Sequence, residues 1–475
     1  MKFKNIDMNK IFKNIWLLMG FVIIASLAVS CDDDTDPHAG TKVIVDKIYL
    51  QDAESSVPDR EVDFVRLGQT IRVEGSGFLG MRRIYVNGYE TYFNPVLLSD
   101  NSMLLQVSGK TPTVEAEEDE RNTIRFVKAS TETTHNFLVR DAAPSISSIS
   151  HTMPLAGEEI TIFGSGLIEI NKVVFPGDIE VTEGIESDEK GKFIVVTVPA
   201  GITESGSLFV VGANGAAYSP AYFNFKEGLI LDFDGNGAHD FWGDGESMIQ
   251  DTDLLSDVIG DVNVSQGTYV AHRPERVETF SQAANRRSEV WASPADWRSD
   301  YAGIISPDKP VTELAFQFDI YVPEPWANTG ILKVLLINNY NGGEWAGYTY
   351  NYIPWLENKE VVPFQTEGWT TVTIPFNKMY AFSDPKEGET FTFDNILVAR
   401  EEATYSHFGF FFDNPDFTLA DVTGSSSDED VEFESSPFKG QVYTDNWRIV
   451  PLDKPVYSDF PDEEDEVSED EESDE

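Results

Sequence analysis

The sequence contains a single cysteine, Cys31, among its 475 residues. Disulfides cannot form within the chain, so each domain must be held by its own hydrophobic core. Long apolar runs are equally scarce: residues 15–29 form one run, which is short for a membrane-spanning helix. Positive charge is scarce as well, because 34 Lys and Arg face 82 Asp and Glu, giving a formal net charge of −48. Such a charge excludes nucleic acid, anionic lipid and polyanionic polysaccharides as favoured partners, and a neutral partner is expected.

The N-terminus has the pattern of a secretory signal. Four lysines precede the apolar run, and small residues lead to Cys31, so residues 1–30 are predicted to be a signal peptide and Cys31 a lipidated N-terminus. An uncleaved anchor with an unmodified Cys31 is the alternative. One departure is Ala28, which occupies the place where bacterial lipoprotein boxes usually have Leu. The acidic residues 32–34 resemble the export signal of Bacteroidetes surface lipoproteins, which implies an outer-membrane protein facing outside, with 31–41 as an acidic tether.

Two segments of the chain repeat each other. Residues 67–88 match 156–177 at a constant offset, with Gly-Ser-Gly at 75–77 and again at 164–166. In each copy, an alternating strand runs into this small-residue bend and a second strand follows. The pattern resembles the immunoglobulin-like IPT/TIG domain, and it implies two β-sandwiches, at 42–140 and 143–226. Neither copy contains Trp, and both are expected to be spacers.

The composition changes at residue 228. All the Trp residues after Trp16 lie between Trp242 and Trp447, among short alternating segments without helical periodicity. Residues 228–455 are therefore predicted to form one larger β-sandwich or jelly roll. The prediction for the whole chain is all-β: two tandem Ig-like sandwiches followed by this larger domain. Residues 456–475 are predicted to be a disordered acidic tail.

The strongest aromatic cluster lies at 338–358. As a strand, residues 348–352 place three Tyr on one face and Thr349 and Asn351 on the other. Buried Tyr hydroxyls need partners, whereas exposed rings can stack on sugars and offer polar contacts at the same time. We therefore predict a platform for a neutral polysaccharide, with a buried Tyr face as the open alternative. The predicted platform residues are Trp345, Tyr348, Tyr350, Tyr352 and Trp355, with Asn339 and Asn351 as hydrogen-bonding groups.

Other aromatic residues in loop-like settings are further binding candidates. They are Trp291, Trp297, Tyr301 and Trp326. Exposed rings of this kind are costly unless they are used, but the same rings could close the end of the sandwich. Trp369 and Trp447 begin alternating strands and are predicted to be structural.

Metal and catalytic signals are weak. Residues 232–240 place Asp232, Asp234, Asn236 and Asp240 at EF-hand-like positions, but the last ligand position holds Gly243 and no flanking helices are evident. A turn-rich entry to the domain is favoured over calcium, and no cofactor is predicted. H-E-x-x-H, G-x-S-x-G and Gly-Lys phosphate-loop motifs are absent, so nothing argues for catalysis, although abundant carboxylates leave a glycosidase pair open.

The phrases FQFDIYVPEPW (316–326), GYTYNYIPW (347–355) and EGWTTVTIPF (367–376) resemble the C-terminal xyloglucan-binding-like domain of Bacteroidetes cell-surface glycan-binding lipoproteins. This resemblance implies a non-catalytic protein that captures a neutral polysaccharide of β-glucan, xyloglucan or β-mannan type. It also implies two partners, a TonB-dependent transporter and that transporter's glycan-binding lipoprotein. A surface endo-glycanase and an adhesin or assembly protein are the alternatives.

Overall fold

The computed structural model describes residues 36–240, 248–273, 287–292, 295–338 and 345–460. The chain divides into two compact units, Met1–Asp141 and Ala142–Glu475. The predicted signal peptide, the predicted lipidation site Cys31, Asn339 and residues 461–475 of the predicted tail lie outside the described residues. No helix within these described ranges combines the length and the apolar character needed to cross a membrane.

The first unit is a β-sandwich. Its strands are β1 (Ile44–Gln51), β2 (Asp59–Glu61), β3 (Phe64–Arg66), β4 (Thr70–Ser76), β5 (Arg83–Val86), β6 (Tyr89–Thr91), β7 (Phe93–Leu98), β8 (Ser102–Gln106), β9 (Thr123–Val127), β10 (Glu132–Asn136) and β11 (Leu138–Arg140). One sheet has the order β2-β1-β4-β8-β7 and the other β10-β9-β5-β6, and β11 pairs in parallel with β3. The alternation in β4 places Ile71 and Val73 in the core and Arg72 beside Asp59 on the outside.

The second unit begins with a similar sandwich. Its strands are β12 (Ser145–Ile149), β13 (Glu159–Ser165), β14 (Lys172–Phe175), β15 (Ile179–Val181), β16 (Glu186–Ser187), β17 (Phe193–Thr197), β18 (Phe209–Gly212) and β19 (Gly215–Tyr218). The two sheets have the orders β12-β13-β17-β16 and β15-β14-β18-β19.

The repeated glycines have the same physical role in both sandwiches. A Cβ atom on Gly75 would lie 1.9 Å from the Ile44 carbonyl oxygen, and one on Gly164 would lie 1.9 Å from that of Ser145. Each glycine therefore lets the first strand of its sandwich approach closely. The pairing register shifts at this place in both copies, between Val45 and Lys47 in the first.

The rest of the second unit is a larger sandwich, called here the terminal domain. Its strands are β20 (Leu229–Leu231), β21 (His239–Asp240), β22 (Leu254–Leu255), β23 (Tyr269–His272), β24 (Arg287–Ala292), β25 (Leu314–Tyr321), β26 (Ile331–Leu335), β27 (Thr349–Tyr352), β28 (Leu356–Glu357), β29 (Glu360–Val361), β30 (Thr370–Pro375), β31 (Gly409–Asp413), β32 (Phe417–Thr418), β33 (Glu432–Phe433) and β34 (Val442–Pro451). Its helices are α1 (Trp297–Asp300), α2 (Phe393–Glu402) and α3 (Leu419–Thr423). The prediction of an all-β fold with two Ig-like sandwiches and a larger one is confirmed.

Two sheets enclose the core of the terminal domain. A six-stranded sheet has the order β22-β23-β34-β25-β30, with β20 also paired to β34, and a five-stranded sheet has the order β21-β24-β31-β26-β27. Trp447 of the first sheet joins the two. Its ring stacks on Phe410 of the second sheet at 3.6 Å between centroids and on Phe318 of its own sheet at 4.5 Å. The prediction that Trp447 is structural fits this packing.

Buried polar contacts join the second sandwich to the terminal domain. Arg448 of β34 pairs with Asp319 of β25 at 3.0 Å and donates to the hydroxyl of Thr152 at 2.8 Å. Burial by itself raises the pKa of Asp319, but Arg448 and then His151 hold that pKa below its usual range. The core of the second sandwich also includes Ala315 of the terminal domain. The predicted boundaries at 42–140, 143–226 and 228–455 stay predictions.

Candidate functional site

Five of the predicted platform and loop rings are buried. The exposed fractions are 1% for Trp291 and Trp355, 2% for Trp326, 3% for Trp297 and 4% for Tyr301. Their rings pack inside the protein in the conformation described here, and the binding of a glycan by these side chains stays a prediction. Trp291 differs from the other four in lying on the far side of a sheet, and it is treated separately below.

Trp326 and Trp355 close one end of the core. Their indole nitrogens donate to backbone carbonyls of one turn, Trp326 to Thr329 and Trp355 to Gly330, the latter at 3.0 Å. Their rings contact phenylalanines, for example Trp326 with Phe412 at 5.4 Å between centroids. A buried Trp needs an acceptor for its N–H group, and here the turn supplies one for each ring.

Trp297 and Tyr301 pack under helix α2. Their rings meet edge to face at 5.8 Å, and Tyr301 contacts Phe393 of α2 at 5.9 Å. The Tyr301 hydroxyl donates to the carbonyl of Gly228 at 3.3 Å, and burial raises the pKa of this phenol above its usual range. Both side chains therefore plug the sandwich, which was the alternative left open for them.

The tyrosines of β27 face the opposite way from the prediction. Tyr350 and Tyr352 pack against the core between the sheets, and Tyr352 meets Phe318 edge to face at 5.6 Å. Burial raises the pKa of both phenols above the ordinary value. Tyr348 packs on Phe382 at 5.4 Å. The three rings stay partly exposed on β27, the last strand of its sheet, so the face is neither fully open nor fully buried, and its part in glycan binding stays a prediction.

The other side of the same sheet brings polar and aromatic residues together. Lys333 pairs directly with Asn351 on one side and with Phe411 on the other, so these three residues form one row. The next row contains Leu335 between Thr349 and Gly409, with Trp291 beyond Gly409. We call this surface the outer face. It comprises Glu289, Trp291, Lys333, Leu335, Thr349, Asn351, Phe411 and Asp413.

Trp291 lies flat on the outer face. A Cβ atom on Gly409 would come within 2.1 Å of the Trp291 ring, so only glycine lets the indole rest on this strand. The ring packs with Phe411 at 6.1 Å, and its nitrogen donates to the Glu289 carboxylate at 2.8 Å. The hydrogen bond fixes the edge of the indole, and the glycine supports one of its two flat sides.

The outer face also carries a buried ion pair. Lys333 Nζ lies 3.0 Å from Asp413 Oδ2, and the two residues are only 3% and 6% exposed. Burying opposite charges together costs desolvation free energy, so such a pair is weak evidence for a stabilising role. The amide nitrogen of Asn351 lies 3.5 Å from the Tyr380 hydroxyl at the edge of this face. The face thus combines aromatic rings with donors and acceptors, as carbohydrate sites do.

A bulge in β24 places Glu289 and Trp291 on the outer face. The register shifts between Arg287 and Val290, and Ser288 has a φ of 51°, in the left-handed region. Its hydroxyl lies 2.6 Å from Nδ1 of His272, whose Nε2 lies 2.9 Å from the Thr444 hydroxyl. Burial lowers the pKa of His272 to about 3, so the imidazole is neutral. His272 therefore holds the bulge from within the core.

Trp345 lies at the rim of the outer face, and it is the predicted Trp that stays partly exposed. Its ring contacts Tyr380 at 6.1 Å and Phe417 at 5.7 Å between centroids. Trp345 and Tyr380 thus form a partly open edge beside Asn351 of the buried outer face. Sequence reasoning missed Glu289, Lys333, Tyr380, Phe411 and Asp413. The lone Lys333 within the apolar strand β26 was the available signal.

The carboxylates of the predicted calcium loop bind backbone amides. Asp232 Oδ1 accepts from the amides of Asp234 at 3.0 Å and Asn236 at 2.8 Å, and Asp234 accepts from the Thr268 amide at 2.9 Å. These contacts belong to a turn, as the favoured interpretation expected. Across the described ranges, which exclude the side chain of Asp240, no group of three or more His, Cys, Asp or Glu is arranged for a metal ion. Calcium at 232–240 stays an untested prediction.

Comparisons with known proteins identify relatives of the terminal domain and of the longer chain. Residues 223–451 match the family described as "Surface glycan-binding protein B xyloglucan binding domain". An "IPT/TIG domain-containing protein" of Bacteroides ovatus is 23% identical over 308 residues, covering 65% of this chain and 52% of that protein. The match therefore spans about half the length of that relative.

The chain is also similar to solved structures of surface glycan-binding proteins. The surface glycan-binding protein PbSGBP-B from Prevotella bryantii is 19% identical, with a TM-score of 0.55 over 87% of this chain and 100% of that one. An SGBP-B from a complex xyloglucan utilization locus in Bacteroides uniformis is 17% identical, with a TM-score of 0.47 over 86% and 99%. At these identities the likeness concerns the fold alone. The family match confirms the resemblance: residues 223–451 of this chain are similar to the xyloglucan-binding domain of surface glycan-binding protein B.

Proposed function

We propose that the terminal domain binds a neutral polysaccharide of β-glucan, xyloglucan or β-mannan type, without catalysing its cleavage. The observation that carries the proposal is Trp291, which lies flat over Gly409 beside Glu289 on a sheet face that also holds Lys333 and Asp413. The family description names xyloglucan, which supports a β-linked backbone as the ligand.

The chemistry of such a ligand fits the outer face and its rim. A β-linked glucan or mannan presents flat C–H faces that stack on Trp and Tyr rings, each contact worth on the order of 1 kcal/mol. Its hydroxyls pair with carboxylate, amide and ammonium groups, which Glu289, Asn351 and Lys333 supply. A neutral polymer also avoids repulsion by the strongly acidic chain.

Binding at the outer face requires a conformational change. Trp291 is closed to solvent in this structure, whereas Trp345 and Tyr380 at the rim are partly exposed. We infer that sugar units stack first on the rim and then on the outer face as it opens. When only a fraction of molecules is binding-competent, the apparent affinity falls by that fraction, so a modest affinity is expected.

The cellular setting is part of the same proposal. A lipid on Cys31 would anchor the protein at the outer membrane, and the two Ig-like sandwiches would act as spacers. Captured polysaccharide would then pass to a TonB-dependent transporter and its glycan-binding lipoprotein, partners that the family resemblance implies. Many anchored copies raise retention of a long polymer through multivalency.

Affinity electrophoresis tests the proposal. The purified protein is run in gels containing xyloglucan, mixed-linkage β-glucan, laminarin or β-mannan, and retardation in at least one gel is expected. Trp345→Ala should reduce that retardation while the circular dichroism spectrum and the unfolding temperature hold. Tyr405→Ala is the control, because Tyr405 is another exposed aromatic residue of the same domain.

Three results would count against the proposal. A folded protein that no neutral polysaccharide retards has no such site. Equal losses of retardation in Trp345→Ala and Tyr405→Ala would show that the rim does not bind the polysaccharide. Release of reducing sugar from the retarding polysaccharide would favour an endo-glycanase. A stable protein complex on pull-down without any glycan binding would favour an adhesin or assembly protein.

A further inference from the structure

A loop protrudes from the edge of the first unit at residues 92–97, called here the apolar loop. Strand β7 is the last strand of its sheet, and its pairing with β8 is interrupted between Phe93 and Leu98. The four residues between these two stand opposite a single residue of β8, Leu104. Extra residues of this kind bulge out of a strand instead of continuing the ladder. The loop is therefore presented to solvent.

The side chains of the apolar loop are large, apolar and exposed. The exposed fraction is 78% for Tyr92, 87% for Val96 and 52% for Leu97. Residues 91–99 contain no charged side chain, although 24% of the residues in the chain are charged. Single exposed apolar residues are ordinary, but three in one short protruding loop indicate a surface that contacts something.

The second sandwich shows that the fold does not require this exposure. Its edge strand β16 pairs with β17 as β7 pairs with β8. In this alignment of strands, Val96 corresponds to Ile185, which packs against the core, and Leu97 corresponds to Glu186, which is exposed. The second copy therefore has a charged edge, as solvated edge strands usually do. The exposed apolar side chains are specific to the first copy.

The apolar loop lies at the end of the sandwich where the N-terminal segment is attached. The turn after the loop is bonded to Phe78, whose amide donates to the carbonyl of Asp100 at 3.2 Å. Two residues further, a Cβ atom on Gly80 would lie 2.5 Å from the carboxylate of Asp36. Asp36 comes five residues after Cys31, a reach of at most ~18 Å. A lipid on Cys31 would therefore hold this end of the first unit close to the membrane.

We propose that the apolar loop inserts into the uncharged interfacial layer of the membrane that carries the lipid of Cys31. Tyr92 suits this layer because its ring is apolar and its hydroxyl reaches water, while Val96 and Leu97 supply apolar area. Pro95 has no backbone N–H group, and the bulge interrupts the ladder, so addition of a strand from another protein is disfavoured.

The loop gives the anchored protein a second contact with the membrane. A lipid alone is a pivot, whereas a lipid and an inserted loop together fix the orientation of the first unit on the surface. The inference rests on the predicted lipid at Cys31, which is part of the proposed function.

Coupling through Cys31 tests the insertion without natural lipidation. Residues 31–475 contain no other thiol, so this chain can be attached to maleimide-bearing phosphatidylethanolamine in neutral phosphatidylcholine vesicles. Tyr92→Trp adds an indole to a unit that has no Trp between residues 42 and 140, and brominated phosphatidylcholine quenches indoles that enter the lipid. The added fluorescence should fall by about half or more, since interfacial segments lie roughly 5–10 Å deep. The fluorescence of the coupled parent should change little.

Charged substitutions locate the contact. Val96→Asp combined with Leu97→Asp in the Tyr92→Trp protein should abolish the quenching, because a carboxylate is costly to bury in an apolar layer. Val57→Asp is the matched control, since this exposed residue follows the last residue of β1, at the opposite end of the sandwich. Quenching should be unchanged by the control. All these residues are exposed, so the circular dichroism spectrum and the unfolding temperature should hold in every variant.

Three results would overturn the proposal. The first is quenching of the added indole no greater than that of the parent, and the second is an equal loss of quenching in the control. The third is a dimer of the uncoupled protein that the two Asp substitutions abolish, which would assign the loop to a second copy of the chain. Retardation in neutral polysaccharide gels should be the same in all variants, so failure of the insertion is distinguishable from failure of the proposed function.

Discussion

The two faces of the five-stranded sheet carry similar aromatic rings, but the residues that surround those rings differ. On the inner face, Phe410 and Phe412 pack among apolar side chains and against the neutral imidazole of His272. On the outer face, Phe411 and Trp291 lie beside the charged residues Glu289, Lys333 and Asp413. A large aromatic residue is therefore not a sugar platform by itself. The polar groups on the same face distinguish a surface suited to a ligand from one suited to a core.

The two tryptophans at these faces differ in how their flat sides are used. Trp447 is stacked on both sides, between Phe410 and Phe318. Trp291 rests one flat side on the backbone at Gly409 and fixes its edge through Glu289. The first arrangement maximises packing, whereas the second orients a ring on a sheet surface. Stability should therefore depend on the inner ring, and glycan binding on the outer one.

The largest expected effect is on the inner face. Trp447→Ala removes a ring stacked on two sides and should lower the free energy of unfolding by about 3–5 kcal/mol. Trp291→Ala should cost roughly half as much but abolish retardation in the polysaccharide gel. Denaturant unfolding followed by circular dichroism, together with the gel assay, checks both. Equal losses of stability in the two variants would contradict the distinction between the faces.

His272 links the two sheets of the terminal domain through Ser288 and Thr444, and its titration should be visible in the free energy of unfolding. Its folded pKa of about 3 lies below the ordinary 6.5, so the unfolded chain binds the proton more tightly. The contribution of His272 to the free energy of unfolding is therefore complete above pH 6.5, and it is lost as the pH falls from there towards 3. His272→Gln should be less stable at pH 7.5 but should lose less stability between pH 6.5 and 4. The free energy of unfolding of each protein is measured by urea titration at several pH values in this range. If it changes with pH by the same amount in both proteins, His272 does not titrate as described.

Much of the fold could be predicted from local sequence. The repeat at 67–88 and 156–177 indicated two sandwiches. The close approach of the first strand at Gly75 and Gly164 is the physical reason why both copies have glycine at this place. Alternation along β4 likewise fixed which residues are buried. These features depend on residues close in sequence or on backbone sterics, both of which a single sequence displays.

The site could be predicted only in part. The parity of β27 correctly separated Tyr350 and Tyr352 from Asn351, but parity cannot tell which face is the core. That choice depends on the register with β26, which places Asn351 opposite Lys333. The hydrogen bond of Trp355 to a carbonyl 25 residues away depends on tertiary structure in the same way. Aromatic density therefore identified the region, while pairing partners decided each ring's role.

A glycine substitution can disturb the outer face alone. Gly409→Ala places a methyl group against the Trp291 ring, so the indole has to shift, and polysaccharide binding should weaken by about tenfold. The matched control is Gly440→Ala, whose added methyl would have no heavy atom nearer than 3.9 Å. Gel retardation by each variant gives the comparison. Unchanged binding by Gly409→Ala would mean that the orientation of Trp291 has no part in recognition.

The smallest expected effect concerns the rim, where the inner and outer faces meet at the edge of β27. Tyr380→Phe keeps the ring that contacts Trp345 but removes the hydroxyl 3.5 Å from Asn351. Affinity should fall about two- to threefold, since one neutral hydrogen bond contributes on the order of 1 kcal/mol or less. Burial raises the pKa of this phenol above its usual range, so the hydroxyl stays protonated and available as a donor at neutral pH. Tyr405→Phe at an exposed site supplies the comparison; if both variants bind as the parent does, Tyr380 acts on the ligand through its ring alone.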